Sequence, residues 1–384
     1  MKITGIICEY NPLHLGHKKQ LDILRALEPA GGIVCLMSGN YVQRGKPAIV
    51  DKSLRAKAAV LSGADLVLEL PVTAALSSAE GFASAGVKLL SGFCDSLCFG
   101  SETNDPALLM QTAQILLSPD FPSALSIELA KGLSFPAARQ AALENMGIRS
   151  DILRNPNDIL AIEYCKAILS QNASMIPLPI LRQGGYHDLQ ADGENPSATA
   201  VRSLMLQSGA WLDYVPPAAR PCFEHAALHT LSAGERAILA RLRTMSDEDF
   251  EALPYGSEGL WRKLMHAARK EATLEDILTA VKSKRYTRTR LDRMVLCAFL
   301  GLTGADLSAP VPYARVLALN DRGREILKQA RKNGLFPNTG EQLGHPYQAI
   351  ENRAEALYGL FRMESPSAPE SRRRVSYQPL CKLE

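Results

Sequence analysis

The chain lacks any run approaching the ~18 consecutive apolar residues that a membrane-crossing helix needs, and no basic-then-apolar leader opens it. The expected address is therefore the cytoplasm, with no membrane partner. Net charge is also scarce: +3 over 384 residues excludes a global field that would draw in nucleic acid, although local clusters of Lys and Arg remain possible contacts. The eight cysteines, at positions 8, 35, 94, 98, 165, 222, 297 and 381, are scattered rather than paired. Cys94 and Cys98 have no second pair nearby, so they read as small buried hydrophobes and not as a zinc site. The second half contains no glycine-rich phosphate loop. What is present is ordinary globular material, 46% hydrophobic and 22% charged, in a chain long enough for two domains.

Apolar, β-branched runs at 3–9, 33–37, 66–70 and 97–99 read as buried strands, and helical patterns at 17–27, 52–62 and 77–90 lie between them. Strands of this kind separated by helices predict a doubly wound parallel α/β domain, Rossmann-like in class. Ligands in such folds sit beyond the C-terminal strand ends, where the polar clusters 9–17, 38–46 and 100–103 fall. Residues 107–171 read as mostly helical, with Asn157-Asp158 placed to cap a helix over 159–170. A strand at 175–181 follows, and Ser197-Ala198-Thr199 opens a helix to about residue 207. The expected domains are an α/β unit over 1–210 and a mainly helical unit over 211–364. Residues 365–384, with Ser, Pro and Arg372-Arg373-Arg374, read as a tail with little core-forming capacity.

His14-Leu15-Gly16-His17 stands between the first strand and the first helix. At this composition the pattern arises by chance in roughly one chain in a hundred. A helix N-terminus offers unpaired N–H groups, Gly16 permits close approach, and two imidazoles can reach phosphate oxygens. Such a site suits displacement at the α-phosphate of ATP, where positioned donors stabilise growing charge and pyrophosphate leaves. His14 and His17 are the catalytic candidates. The competing readings are plain loop and cap residues, or a His-x-x-His metal pair that lacks a third ligand.

The segment Gly5-Ile6-Ile7-Cys8-Glu9-Tyr10-Asn11-Pro12-Leu13-His14-Leu15-Gly16-His17 resembles the opening of the bacterial tRNA(Met) cytidine acetate ligase family, a branch of the HxGH nucleotidyltransferases. The likeness continues through 37–47, 63–71, 99–102 and 156–160, and so covers most of the chain. Cys8 and Leu13 depart from the commoner Ala and Phe of that opening, and neither change removes a phosphate ligand. The resemblance implies that ATP and acetate form acetyl-adenylate, and that the acetyl group passes to the wobble cytidine of elongator tRNA(Met) as N4-acetylcytidine. It implies ATP contacts from Ile7 through Gln20, including Lys18 and Lys19, and from Gly100, Asn157 and Arg182. Mg2+ would accompany the phosphates, and no zinc, haem or flavin is expected.

Read from the residues themselves, Gly100 ends a strand without a side chain to exclude adenosine. Asn157 suits a base or ribose contact or a helix cap. Arg182 ends an apolar strand with a fork suited to phosphate or carboxylate, or merely marks a strand end. Ser197, Thr199 and Arg202 resemble a Ser-x-Thr-x-x-Arg helix start that binds the β- and γ-phosphates, and an ordinary helix start is the alternative. Asn40, Gln43, Arg44 and Lys46 follow the second strand and could hold the carboxylate or approach the tRNA. Lys282, Lys284, Arg285, Arg288, Arg290 and Arg293 cluster around Tyr286 with Asp292 as the one interrupting acid. That pattern suits RNA phosphates with base stacking, against a solvated helix face. Two other functions compete: a small-molecule adenylyltransferase, which has no use for the basic segment, and a non-catalytic RNA-binding protein, which has no use for a phosphate site.

Overall fold

Strand β1 (Ile3–Cys8) lies inside a six-stranded sheet, between β2 (Gly32–Ser38) and β6 (Ser96–Ser101). This computed structural model describes residues 1–182, 196–207, 209–283, 285–332 and 346–364. With β5 (Leu66–Leu70), β7 (Ile176–Leu181) and β8 (Arg315–Leu319), the strand order is β7-β6-β1-β2-β5-β8. The first five are mutually parallel, and β8 runs antiparallel to β5 at one edge. Beyond the C-terminal end of β2, β3 (Tyr41–Val42) and β4 (Lys46–Pro47) form a small antiparallel hairpin.

Parallel neighbours need crossovers. They are α1 (Leu15–Leu27), α2 (Lys52–Leu61), the pair α3 (Val72–Ala75) and α4 (Ala79–Leu90), and the series α5 (Pro106–Leu117), α6 (Phe121–Ala130), α7 (Phe135–Asn145) and α8 (Pro156–Ser170). The period of two along each strand divides its side chains between two cores. Ile3, Ile7, Val34 and Leu36 pack with Phe82 and Val87 of α4 and Ile162 of α8. Ile6, Cys35 and Val67 pack with Leu21 and Leu24 of α1 and Ala59 of α2 on the other face. The seven described cysteines are free thiols, Cys94 and Cys98 among the buried ones. No described helix is long and apolar enough to cross a membrane.

The helix expected over 77–90 is α4, which starts at Ala79 because Ser78 accepts the Gly81 N–H and caps it. One local expectation is corrected. Helix α8 begins at Pro156 with Asn155 as its N-cap, so Asn157 and Asp158 lie in the first turn and do not cap it. Proline's fixed φ and missing N–H favour the first helical position.

After α9 (Ala198–Leu206) the chain forms α10 (Glu235–Thr244), α11 (Asp247–Glu251), α12 (Leu260–Lys270), α13 (Leu274–Val281), α14 (Arg288–Leu300) and α15 (Gly304–Ser308), and later α16 (Asp321–Lys332) and α17 (Pro346–Tyr358). This half is mainly helical, yet it also returns to the sheet: β8 adds an edge strand and α16 packs over β2 and β5. An antiparallel edge strand needs no crossover signal, and Arg315–Leu319 is a short apolar run that periodicity alone does not separate from a buried helix. The helical core built on Ile238, Leu264, Ile277 and Leu291 also takes in Tyr41 of the hairpin and Val72 and Leu76 near α3. At Gly45, φ is +73° and an added Cβ would lie 2.3 Å from the Arg293 nitrogen, so only glycine lets the hairpin sit this close to α14. The boundary placed at 210 thus crosses a shared core. The expected tail over 365–384 lies outside the described residues.

Candidate active site

The loop after β1 turns on Tyr10, whose φ of +43° is uncommon for a residue with a side chain, and delivers His14 as the N-cap of α1. His14 Nδ1 accepts the Gly16 N–H at 3.1 Å, and His17 Nδ1 accepts the His14 N–H at 3.3 Å. The rings stack with centroids 3.8 Å apart. A ring nitrogen that accepts an N–H uses its lone pair, so each neutral imidazole carries its proton on Nε2. Burial first, then Arg182 and Arg202, lowers His14 to about 3. Burial first, then His14 and Arg182, holds His17 well below the ordinary histidine range. The cap therefore presents two neutral rings with Nε2–H groups to donate. Gly16 has a packing reason of its own, since a Cβ there would lie 3.1 Å from His14 Cε1.

The rings border a cavity of about 600 Å³. It opens beside β1 and β6, where successive strands are added on opposite sides of β1, the switch point at which such sheets bind ligands. Of residues 7–20, all line the cavity except Pro12, Leu13, Leu15 and Lys18. Leu13 is fully buried in the core and Lys18 pairs with Asp22, so neither serves the ligand wall directly.

Gly100, Asn157 and Arg182 line the β6–β7 side. A Cβ at Gly100 would meet only Arg182 Cδ, at 3.9 Å, which leaves open space there. Arg182 Nη1 donates to Asn157 Oδ1 at 3.3 Å, and Asn157 Nδ2 donates to Glu102 Oε1 at 2.6 Å. Asp158 beneath them accepts from Ser101 Oγ, from Thr103 Oγ1 and from the Glu102 and Thr103 N–H groups. Burial alone would raise its carboxyl, but these hydrogen bonds hold it below the usual range. The start of α8 is thus fastened to the end of β6.

At α9, Thr199 and Arg202 line the cavity, and Arg202 Nη1 donates to the Asn11 carbonyl at 2.6 Å. Ser197 is buried, and its hydroxyl caps the helix by accepting the Ala200 N–H at 3.0 Å. It caps the helix between Pro196 and Ala198, which line the cavity, and is not itself among the lining residues.

The β2 side of the cavity carries Glu9, Gln43, Arg44, Thr289 and Arg293. Gln43 and Arg44 come from the hairpin, Thr289 and Arg293 from α14, so both halves of the chain build this wall. Asn40 is not part of it: it is buried, its Oδ1 accepts the Lys52 N–H, and its Nδ2 reaches Asp51 and Glu355. Lys46 is exposed on β4 and does not line the cavity.

The basic segment is also corrected in part. Tyr286 is 4% exposed in the helical core, so it offers no face to a base. Arg288 is fixed by Glu275 and Asp292, and Arg290 by the Tyr255 carbonyl and Ser257. Glu258 and Glu275, which pair with Arg285 and Arg288, come from outside the run, which a linear count does not reveal. Arg285 pairs with Glu258 yet stays exposed, as does Lys282, while Lys284 lies outside the described residues.

Sequence reasoning missed Phe82, Leu160 and Tyr164 in the cavity wall, since their helical spacing marks them simply as core. It also missed Arg55, fully buried, which donates to the carbonyls of Glu9, Ser38, Gly39 and Val50 and ties the ends of β1 and β2 together. Its signal was one arginine on the alanine-rich inner face of α2.

The HIGH nucleotidyl transferase family profile matches residues 1–371. The chain is 37% identical over 362 residues to the tRNA(Met) cytidine acetate ligase of Acetivibrio thermocellus, covering 88% of this chain and 87% of that one. It is 38% identical over 357 residues to the protein of that name from Clostridium perfringens, covering 87% and 88%. Among solved structures it is similar to Thermotoga maritima TmcAL in its apo form, with a TM-score of 0.88, 30% identity, and 97% and 98% of the two chains covered. It is likewise similar to T. maritima TmcAL bound with alpha-thio ATP, with a TM-score of 0.84 and 30% identity over the same shares. This chain belongs to the HIGH nucleotidyl transferase family and, within it, to the tRNA(Met) cytidine acetate ligases.

Proposed function

We propose that this protein is an ATP-dependent acetate ligase that forms acetyl-adenylate and transfers the acetyl group to the wobble cytidine of elongator tRNA(Met), giving N4-acetylcytidine. The observation that carries the reading is the two-histidine cap, neutral and donating through Nε2, set in a cavity beside Arg182 and Arg202. In it the adenosine occupies the Gly100 and Asn157 side and the phosphates face His14, His17, Thr199 and Arg202. A carboxylate oxygen then attacks the α-phosphorus and pyrophosphate departs. Neutral imidazole donors and fixed guanidinium groups aimed at the phosphates stabilise charge as it grows, with little reorganisation.

Among the described residues no three His, Cys, Asp or Glu side chains gather as a metal site. Mg2+ fits as part of the nucleotide, held mainly by phosphate oxygens, and not as a resident ion. A tRNA substrate makes the cytoplasm the expected address. Because the ATP contacts are assigned to residues 1–210, activation should proceed without RNA. Acetate-dependent exchange of labelled pyrophosphate into ATP, measured with no tRNA present, is the test. Exchange supports the reading, and its complete absence contradicts an ATP site assembled by this chain alone.

A further inference from the structure

Resting on that reading, we propose that Glu9 is the catalytic base of the transfer step, taking a proton from the exocyclic amine of the cytidine as that nitrogen attacks the acyl carbon. The N–C bond forms and the bond from the acyl carbon to the AMP phosphate oxygen breaks. AMP leaves with that electron pair, and one N4 proton passes to the Glu9 carboxylate and then to water. The product nitrogen keeps its other hydrogen.

The chemistry needs such a group. The cytosine amine lone pair is delocalised into the ring, so bond formation makes the nitrogen strongly acidic and a positioned base becomes effective. Among the described residues lining the cavity, Glu9 is the only carboxylate. His14 and His17 use Nδ1 to accept main-chain N–H groups and hold their protons on Nε2, so they are donors. Cys8, Tyr10 and Tyr164 are raised well above their ordinary ranges, chiefly by burial, and keep their protons. Lys19, Arg44, Arg182, Arg202 and Arg293 are cations.

Glu9 is also held for the task. Its main-chain carbonyl accepts from Arg55 Nη1 at 2.6 Å and its Oε1 accepts the Gln43 N–H at 2.8 Å, so Oε2 is the oxygen that a ligand meets. It follows β1 directly, between the β6–β7 side assigned to adenosine and the wall built by Gln43, Arg44, Thr289 and Arg293. That wall belongs to both halves of the chain and is the part of the cavity left for acyl group and nucleobase. A carboxylate here opposes the binding of polyphosphate, which a role in nucleotide binding alone does not explain.

The test is Glu9→Gln, which keeps the size and the acceptor for the Gln43 N–H but takes no proton. Two half-reactions are measured in the full-length protein: acetate-dependent pyrophosphate exchange without RNA, and single-turnover transfer from bound acetyl-adenylate to tRNA. The expected result is transfer slowed about a hundredfold or more, and slowed at least about tenfold more than exchange. Equal losses in both, in a folded variant, would assign Glu9 to the nucleotide or its metal and overturn the proposal, as would unchanged transfer. Should the glutamine variant not fold, Glu9→Asp withdraws the carboxylate by one methylene. Transfer should then fall about tenfold or more and by a larger factor than exchange, and unchanged transfer or equal losses would overturn the proposal. Wild-type protein that makes adenylate but acetylates no tRNA would contradict the substrate reading itself.

Discussion

The Gln43 main chain joins Glu9 to the helical half of the molecule: its N–H donates to Glu9 Oε1 at 2.8 Å, and its carbonyl accepts from Arg293 Nη1 at 3.4 Å. One residue therefore links the end of β1 to α14. Gly45, two residues on, has no Cβ and allows the hairpin to lie against the α14 backbone.

This geometry gives a pH dependence for transfer. Burial raises the Glu9 carboxyl above 4.5, offset in part by the Gln43 N–H and by Arg202, Arg44 and Arg55, while Tyr10 and Tyr164 nearby stay protonated. A base works when deprotonated, so single-turnover transfer should rise with pH through a value above 4.5 and then level off. The neutral His14 and His17 lose no proton in that range. Glu9→Gln should lack this acidic limb, and an identical limb in the variant would place the titration elsewhere.

His17→Ala removes an Nε2–H donor from the phosphate site. Adenylate formation should fall about a hundredfold, a loss of about 3 kcal/mol of transition-state stabilisation, with a much smaller change in ATP affinity. Pyrophosphate release by the variant at saturating ATP and acetate is the readout, and a rate near wild type would contradict the assignment.

The two halves are also joined by a buried charge cluster. Glu69 of β5 accepts from Lys52 Nζ and from Arg315 Nη2, each at 2.9 Å, and Arg315 of β8 lies 3.5 Å from Glu351 of α17. Removing Glu69 leaves buried Lys52 with Glu355 alone and buried Arg315 with Glu351 alone, so Glu69→Ala should lower stability by about 3 kcal/mol. Urea unfolding measures it, and a change below about 1 kcal/mol would show that the pairs contribute little.

Much of this was legible in the chain. The apolar runs of β1, β2, β5 and β6, the histidine motif after β1 and the glycine ending β6 sit where pattern and spacing place them. Other features were hidden because their meaning depends on residues far away in sequence. Arg288 reads as a free cation until Glu275 of α13 is brought beside it, and Tyr286 reads as a stacking platform until the helical core closes over it. Asn40 reads as a loop ligand until Lys52 and Glu355 satisfy its side chain. The edge strand β8 lay among helices, and only pairing with β5 distinguishes it.

Among the described residues of the basic segment this narrows the expected RNA contacts to exposed Lys282 and Arg285. Changing both to Gln should weaken tRNA binding at physiological salt and reduce the slope of log affinity against log salt by up to about two, with adenylate formation intact. Tyr286→Ala should instead destabilise the fold by about 3 kcal/mol or more, as loss of a buried ring does. Unchanged slopes for the double variant would remove this surface from the tRNA site.

The most direct measurement is mass spectrometry of nucleosides from tRNA incubated with the protein, ATP and acetate. The expected result is a cytidine heavier by one acetyl group, confined to the wobble position of elongator tRNA(Met), absent without ATP and carrying label from isotopic acetate. Unmodified cytidine, from protein that still consumes ATP and releases pyrophosphate, would contradict the RNA-acetylating function and favour adenylyl transfer to a small molecule.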